Sequence, residues 1–127
     1  MMGNVWAQDG KMLVTAKGSP EKILQICELT QLELAHTESQ INAMAERGLR
    51  VIAVGEMIIS NITDVPEKLA ECKLQFCGVV GLADPPRDSV KQDVETCIKA
   101  GVRVVMITGD NGITASAIAR QIGMADS

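Results

Sequence analysis

The stretch Gly-Val-Arg-Val-Val-Met-Ile-Thr-Gly-Asp-Asn-Gly, residues 101–112, decides the fold class of this chain. Residues 102–107 form a short apolar run rich in β-branched side chains, which predicts a buried parallel strand. The small and polar residues 108–112 predict a turn. A helical pattern starts at Thr114, and it places three apolar side chains on one face: Ala117, Ile118 and Ile122. A strand, a turn and a helix in this order indicate an α/β fold.

The end of this predicted strand is suited to holding an anion. Backbone N–H groups point outward where a helix begins, and the first helical turn carries partial positive charge. Ligands of open α/β sheets bind just beyond the carboxyl ends of the strands. Thr108 and Asp110 are therefore the first candidates for chemistry, and their alternative role is that of ordinary turn formers.

Composition narrows the class of protein. The chain has 127 residues, 46% of them apolar, which indicates a globular protein with a modest core. Aromatic residues make up only 2% and the net charge is −4, so we expect no nucleic-acid partner, which would need stacking platforms and a basic surface. No apolar run approaches the ~20 residues of a membrane helix, and the start shows no signal peptide. We therefore expect a soluble chain.

The cysteines predict no metal site. They show no Cys-x-x-Cys pair, and the single histidine, His36, lies in a polar segment. A zinc site needs more tightly paired ligands. We expect reduced thiols that are partly buried as small apolar groups, at Cys27, Cys72, Cys77 and Cys97.

Local patterns predict the elements of the first half of the chain. Asp9-Gly10 between two apolar runs predicts a hairpin with a type I′ turn, and Ser19 before Pro20 predicts a helix N-cap. We expect an irregular connection over residues 28–36. Thr37-Glu38-Ser39-Gln40 then has the spacing of a capping box for a helix that stops near Gly48.

The second half is predicted in the same way. A strand over 49–57, a short helix over 65–72 and a strand over 74–82 precede Ala83-Asp84-Pro85-Pro86-Arg87. Two prolines fix φ and remove two donors, so this segment is the best candidate for a boundary between structural units. Asp88 is a suitable cap for the next helix. That helix places Val90, Val94, Cys97 and Ile98 on one face and ends at Ala100-Gly101.

Further charged positions lie where a ligand can bind. Lys17 ends a predicted strand beside Gly18, and the pair can offer phosphate a mobile positive charge and an open backbone. The Arg50 guanidinium can donate two parallel hydrogen bonds to a phosphate. Asp84 and Arg87 flank the prolines, where they can form a local ion pair or reach a ligand. On pattern alone, a surface turn or a solvated side chain is the simpler explanation of Lys17, Gly18 and Arg50.

Three motifs, in this order, resemble those of P-type cation-transporting ATPases: Lys17–Glu21, Asp84–Arg87 and Met106–Asn111. Residues 114–119 extend the last motif in the family manner, and Gly48–Ala53 is similar to the family segment between the first two. The similarity covers nearly the whole chain, and the calcium-pump-like branch is the most similar. It implies that residues 1–82 are the C-terminal part of a nucleotide-binding domain, 83–87 a hinge, and 88–127 part of a phosphorylation domain.

The resemblance also implies a fold and residue roles. The fold is a partial nucleotide-binding sheet with helices, followed by a haloacid-dehalogenase-like, Rossmann-like βαβ piece. Lys17 and Gly18 would line the ATP pocket and Arg50 would reach the phosphates, while Asp84 and Arg87 would lie in the hinge near the nucleotide.

The third motif would carry the catalytic positions. The Thr108 hydroxyl and the Gly109 N–H would hold the transferred phosphoryl group, with Asp110 near the nucleotide and the hinge. Such positioning and charge stabilisation are most of what phosphoryl transfer requires of a protein.

Several parts of the family pattern are absent from this sequence. They are the Asp-Lys-Thr-Gly-Thr segment with the phosphorylated aspartate, the Gly-Asp-Gly-x-Asn-Asp segment that helps hold Mg²⁺, and the membrane helices. The adenine-stacking aromatic would lie upstream of Val5, and neither Trp6 nor Phe76 is at its place. The resemblance thus implies a catalytically incomplete piece of a membrane pump, on its cytoplasmic face. In the parent, ATP and Mg²⁺ would drive cation transport through an aspartyl-phosphate.

Two other functions stay open. One is a haloacid-dehalogenase-type phosphatase, and the other is a stand-alone, non-catalytic nucleotide-binding or interaction module. The expected partners are ATP and the remainder of the pump. We also expect self-association through unpaired strand edges and exposed apolar faces.

Overall fold

The structure, a computed structural model that describes residues 1–124, has the α/β architecture that the sequence predicts. Its strands are β1 (Met2–Gln8), β2 (Lys11–Gly18), β3 (Arg50–Ile59) and β4 (Gln75–Leu82). Its helices are α1 (Pro20–Gln25), α2 (Gln31–Glu46), α3 (Val90–Lys99) and α4 (Gly112–Gln121). Two single turns of 3₁₀-helix lie between β3 and β4, at Ile62–Asp64 and Leu69–Glu71.

The four strands form one sheet in the order β1-β2-β3-β4, and β2 is antiparallel to both β1 and β3. The β1–β2 hairpin closes at the pair Gln8–Lys11. Asp9 and Gly10 have φ angles of 50° and 75°, so the predicted type I′ turn is confirmed. Across the hairpin, Trp6 Nε1–H donates to Thr15 Oγ1 at 3.1 Å. Every residue of β1 is exposed.

The chain divides into two compact units. The first contains Met1–Ile41 and Val51–Val80. Its core consists of Val14, Ala16, Ile23, Ala53, Cys72 and Leu74. Leu74 is fully buried, and its backbone is fixed on both sides: its N–H donates to the Ile26 carbonyl at 2.7 Å, and its carbonyl accepts from Glu28 N–H at 2.9 Å.

The second unit contains Asn42–Arg50 and the described residues from Gly81 onward. Its buried side chains come from the end of α2, from α3, and from α4 and the residue after it. They are Ala45, Val94, Thr114, Ala117 and Ile122. The helix faces predicted from spacing are thus correct for Val94, Ala117 and Ile122, whereas Ile98 is 45% exposed.

Helix α2 begins earlier than predicted, so the expected irregular connection over 28–36 is wrong. Its capping box is formed by Thr30 and Glu33. Thr30 N–H and Thr30 Oγ1–H donate to Glu33 Oε2 at 2.8 and 3.0 Å, and Glu33 N–H donates to Thr30 Oγ1 at 3.2 Å. Thr37, the predicted cap, lies inside the helix, where its hydroxyl donates to the Glu33 carbonyl at 2.8 Å.

This cap makes stability depend on pH. The hydrogen bonds from Thr30 lower the pKa of the Glu33 carboxyl. A pKa that is lower in the folded chain gives stability above the unfolded value, and this stability is lost as pH falls through the folded value. On acidification from about pH 5 to about pH 3, around the ordinary Glu pKa of ~4.3, we expect the wild type to lose more stability than Glu33→Gln. Urea unfolding at the two pH values measures the difference.

The matched control is Glu38→Gln, which removes an exposed carboxyl from the same helix. It should keep the pH dependence of the wild type. Equal pH dependence in Glu33→Gln and the wild type would contradict the role of this cap.

The predicted strand over 102–107 is not formed, and residues 102–108 have no regular secondary structure. Val102, Val105 and Ile107 are 55%, 64% and 94% exposed. A strand needs a neighbour that accepts and donates its ladder hydrogen bonds. Within residues 1–124 no strand pairs with this run, so its β-branched composition alone does not produce a strand.

Other element boundaries also differ from the prediction. Residues 65–72 contain no α-helix, only the second 3₁₀ turn. Ser19 is in the predicted N-cap position of α1 without a side-chain cap bond, and the N-cap of α3 is Ser89 rather than Asp88. Helix α4 begins two residues before Thr114, because Asn111 Oδ1 accepts from Ile113 N–H at 2.8 Å and caps it there.

The predicted end of α2 at Gly48 is confirmed. Gly48 has φ 78° and donates its N–H to Ala45 O at 2.9 Å, while Leu49 N–H donates to Met44 O at 3.2 Å. These two bonds form a Schellman motif, in which the residue after the helix adopts the left-handed conformation. Helix α3 ends in the same way at Gly101, which also has φ 78°.

Candidate functional site

The turn from Thr108 to Asn111 leads directly into α4. Thr108 Oγ1 accepts from Asp110 N–H at 3.0 Å, which gives the turn a defined shape. Thr108, Gly109 and Asp110 are all exposed. The ten-residue helix α4 follows at once, so its N-terminal backbone N–H groups and partial positive charge lie next to these residues. The arrangement is chemically suited to an anionic group.

A cation lies beside this turn. Arg50, the first residue of β3, places Nε 3.9 Å from Asp110 Oδ1. The two side chains are 67% and 35% exposed, and an ion pair of this kind contributes only about 0–1 kcal/mol. The pair is therefore a weak stabiliser. Its significance is that a guanidinium lies next to the predicted anion site.

The turn between α2 and β3 packs against α4. The Thr114 hydroxyl donates to the Leu49 carbonyl at 2.9 Å, and Thr114 is 1% exposed. A Cβ atom at Gly48 would be 3.0 Å from Gln121 Nε2. From the sequence, Thr114 belongs to a motif and to a helix, but no contact is predicted for it. Such a contact joins residues 65 positions apart, and local pattern does not encode it.

The other predicted site residues are not grouped around a turn in this way. Asp84 and Arg87 are exposed in the irregular segment before α3. Among residues 1–124 the ion pairs are Arg50–Asp110 and Lys99–Glu95, so the local Asp84–Arg87 pair is not formed. The Arg87 carbonyl instead accepts from Val90 N–H at 3.0 Å, which helps α3 begin.

Lys17 and Gly18 lie at the end of β2, in the first unit. Lys17 is exposed and pairs with Met2 on β1 and Val54 on β3, while Gly18 pairs with Ala53. The Lys17 ammonium thus stands at the end of a strand that is fixed on both sides. Arg50, Asp84, Arg87 and the Thr108–Asp110 turn belong to the second unit.

The thiols and acidic groups offer little for metal chemistry in the described part of the chain. There, no group of three or more His, Cys, Asp or Glu side chains is placed to hold a metal ion. Burial raises the pKa of the Cys27, Cys72 and Cys77 thiols, which disfavours the thiolate that binds metals. Over residues 1–124, moreover, no helix has the length and apolar character needed to cross a membrane.

Comparison with known proteins gives a consistent result. The family model described as "P-type ATPase, cytoplasmic domain N" matches residues 2–89. The chain is 41% identical over 126 residues to the sodium/potassium exporting P-type ATPase cta3 of Schizosaccharomyces pombe. It is 34% identical over 127 residues to a probable cation-transporting P-type ATPase of Mycoplasma genitalium, and 36% identical over 129 residues to calcium-transporting ATPase 1 of Saccharomyces cerevisiae.

These alignments cover most of this chain but little of the relatives. They include 92%, 98% and 91% of the present chain, respectively. The chain spans 12%, 14% and 14% of the lengths of those three proteins. What it shares with them is therefore one segment of much longer proteins.

Proposed function

Because the chain belongs to the P-type ATPase family, whose cytoplasmic domain N its sequence matches, we propose that it is a segment of the ATP-binding and phosphorylation region of a cation pump. In the parent protein, ATP would phosphorylate an aspartate outside this segment, and the phosphoenzyme cycle would move cations across a membrane. The observation that carries the proposal is Arg50 at 3.9 Å from Asp110, beside a turn that opens a helix. A guanidinium and helix N–H groups together suit a phosphate.

In the second unit, the proposed catalytic positions are Thr108, Gly109 and Asp110. The Thr108 hydroxyl and the Gly109 N–H would hold the transferred phosphoryl group, and their exposure supports this role because the groups are accessible. Arg50 would bind nucleotide phosphates. The exposed residues Asp84 and Arg87 would contact the nucleotide from the segment before α3.

In the first unit, Lys17 and Gly18 are proposed as nucleotide-binding residues. The exposed ammonium of Lys17 at the end of β2 supports this, because a fixed strand end presents the charge to solvent without burying it. We retain the division into a nucleotide-domain part over 1–82, a hinge over 83–87 and a phosphorylation-domain part over 88–127.

We further propose that the segment alone does not hydrolyse ATP. The phosphorylated aspartate of the family motif is not in this sequence, and neither is the acidic motif that helps hold Mg²⁺. Mg²⁺ would therefore be held by other parts of the pump. The segment would lie on the cytoplasmic side of the membrane that contains the pump.

ATP titration by calorimetry tests the proposal directly. We expect saturable binding of ATP and of a non-hydrolysable analogue by the chain. Lys17→Ala and Arg50→Ala should each raise the Kd about tenfold, because each removes a charge-assisted hydrogen bond to phosphate. The matched controls are Lys11→Ala, which removes an exposed lysine from the other end of β2, and Arg47→Ala, which removes an exposed arginine from the turn before β3.

Two outcomes would contradict nucleotide binding by this segment. The first is a folded chain that shows no saturable binding. The second is an equal loss of affinity in the control variants, which would indicate non-specific attraction of ATP to positive charge.

We also propose that the chain self-associates through β1. This edge strand carries no charged residue over Met2–Gln8, and Val5 and Trp6 are 47% and 55% exposed. An uncharged edge strand is a template for pairing with a second copy. Light scattering should show a mass that rises with concentration and that Val5→Lys reduces. A monodisperse monomer at all concentrations would exclude this interaction.

A further inference from the structure

Helix α4 carries both the candidate phosphate turn and an anchor for Arg50. Its N-terminus follows Asp110 directly, with Asn111 as the N-cap. Its buried residue Thr114, in the first helical turn, donates to the Leu49 carbonyl at 2.9 Å. Because one helix bears both features, its backbone fixes the distance between the turn and Thr114, which holds the Leu49 carbonyl.

The Leu49 carbonyl belongs to the peptide group that joins Leu49 to Arg50. Since the peptide group is planar, holding this carbonyl oxygen restricts the orientation of the plane that contains Arg50 N and Cα. The side chain of Arg50 then starts from a defined position and reaches to 3.9 Å from Asp110. The long, exposed contact between Arg50 and Asp110 is too weak to hold the arginine by itself.

A second contact supports the same arrangement. Gly48, at the end of α2, lies against α4 so closely that a Cβ atom there would be 3.0 Å from Gln121 Nε2 and 3.8 Å from Ala117 Cβ. The approach of the turn to α4 therefore involves the hydrogen bond to Leu49 and the contact of the neighbouring residue Gly48 with side chains of α4.

We propose that Thr114 is a positioning residue for the phosphate site: its buried hydroxyl holds the carbonyl of Leu49 and thereby places Arg50 beside the Thr108–Asp110 turn. The inference rests on the proposed function, which it deepens by assigning a role to a residue that touches no ligand. A buried hydroxyl has few alternative hydrogen-bond partners, so this bond favours one position of the turn between α2 and β3 over other positions.

The test compares Thr114→Val, which keeps the shape and removes the hydroxyl, with Thr114→Ser, which keeps the hydroxyl. We expect Thr114→Val to raise the Kd for ATP about fivefold, the scale of one such hydrogen bond. Thr114→Ser should remain within about twofold of the wild type. The control is Thr37→Val, because Thr37 is also buried but donates to its own helix.

A double-variant comparison separates positioning from a general structural effect. If Thr114 acts through Arg50, Thr114→Val should cause no further loss of affinity in an Arg50→Ala background. An equal, additive loss in both backgrounds would overturn the proposal. If Thr114→Val does not fold, Thr114→Ala removes the hydroxyl with less bulk and is compared in the same way.

A readout without ATP distinguishes failure of this inference from failure of the proposed function. In ¹H–¹⁵N spectra of the ATP-free chain, the Arg50 Nε–Hε signal should shift in Thr114→Val and keep its wild-type position in Thr114→Ser. If no ATP binds and this shift occurs, the proposed function fails while the positioning role stands. An Arg50 signal that is unchanged in Thr114→Val would overturn the positioning role, whether or not ATP binds.

Discussion

Leu74→Ala is expected to lower the free energy of unfolding by about 3 kcal/mol, within the range measured for buried Leu to Ala changes in protein cores. Leu74 is 0% exposed, and hydrogen bonds to Ile26 and from Glu28 fix its backbone. The Leu74 backbone is therefore held in place and does not shift easily to fill the cavity, which favours a loss above the lower end of that range. Urea unfolding followed by Trp6 fluorescence and far-ultraviolet circular dichroism measures it.

The control is Leu32→Ala. Leu32 is 81% exposed in the first turn of α2, so the same chemical change there should alter stability by no more than about 0.5 kcal/mol. A Leu74→Ala loss below about 1 kcal/mol would mean that the pocket around this residue can repack.

Gly48→Ala is expected to lower the free energy of unfolding by about 1 kcal/mol. An alanine at φ 78° pays about 1 kcal/mol for the left-handed conformation. Its Cβ would also be 3.0 Å from Gln121 Nε2 and 3.6 Å from Ile118 Cγ1. Gln121 Nε2 is the end of a flexible, exposed side chain that can rotate away, so the packing adds little to this cost. Thermal or urea unfolding of the variant measures this loss of stability.

Gly101→Ala is the matched control. Gly101 has the same φ of 78° and the same place after a helix, but a Cβ there would meet nothing within 4 Å. We expect a loss of about 1 kcal/mol, due to conformation alone. Similar losses are expected in the two variants, and a loss at Gly48 larger by about 1 kcal/mol or more would show that the added methyl group forces α4 to move.

Local chemistry in the sequence predicts the turns and helix ends well. Asp9-Gly10 specified the hairpin and Gly48 specified the end of α2, because each depends on backbone conformations that few residues adopt. The start of α2 was predicted wrongly. Two segments, at 30–33 and 37–40, have capping-box spacing, and propensity within a few residues does not decide between them.

The prediction of a strand failed where pairing, rather than composition, decides whether the strand forms. Residues 102–107 have the composition of a buried parallel strand, yet four of the six are exposed and the run has no pairing partner in the described part of the chain. By contrast, β3 and β4 were predicted to within one or two residues and lie side by side in the sheet. A β-branched run alone is thus not sufficient to form a strand.

The candidate site was predictable in part. Thr108 and Asp110 follow from local pattern, since a turn before a helix is itself an anion site. Arg50 followed only from the resemblance to P-type ATPases, because pattern alone favoured a solvated side chain. Its position near Asp110 and the hydrogen bond from Thr114 to Leu49 depend on contacts between distant parts of the sequence, and these require the folded structure.

The hydrogen bond between Trp6 and Thr15 has a spectroscopic consequence. The chain has one tryptophan, one phenylalanine and no tyrosine, and both aromatic residues, Trp6 and Phe76, belong to the first unit. Indole emission therefore reports on the β1–β2 hairpin, whereas α3 and α4 contribute only to the ellipticity of the backbone. A loss of ellipticity without a change in indole emission would therefore show melting outside the hairpin, in one sample and without an added label.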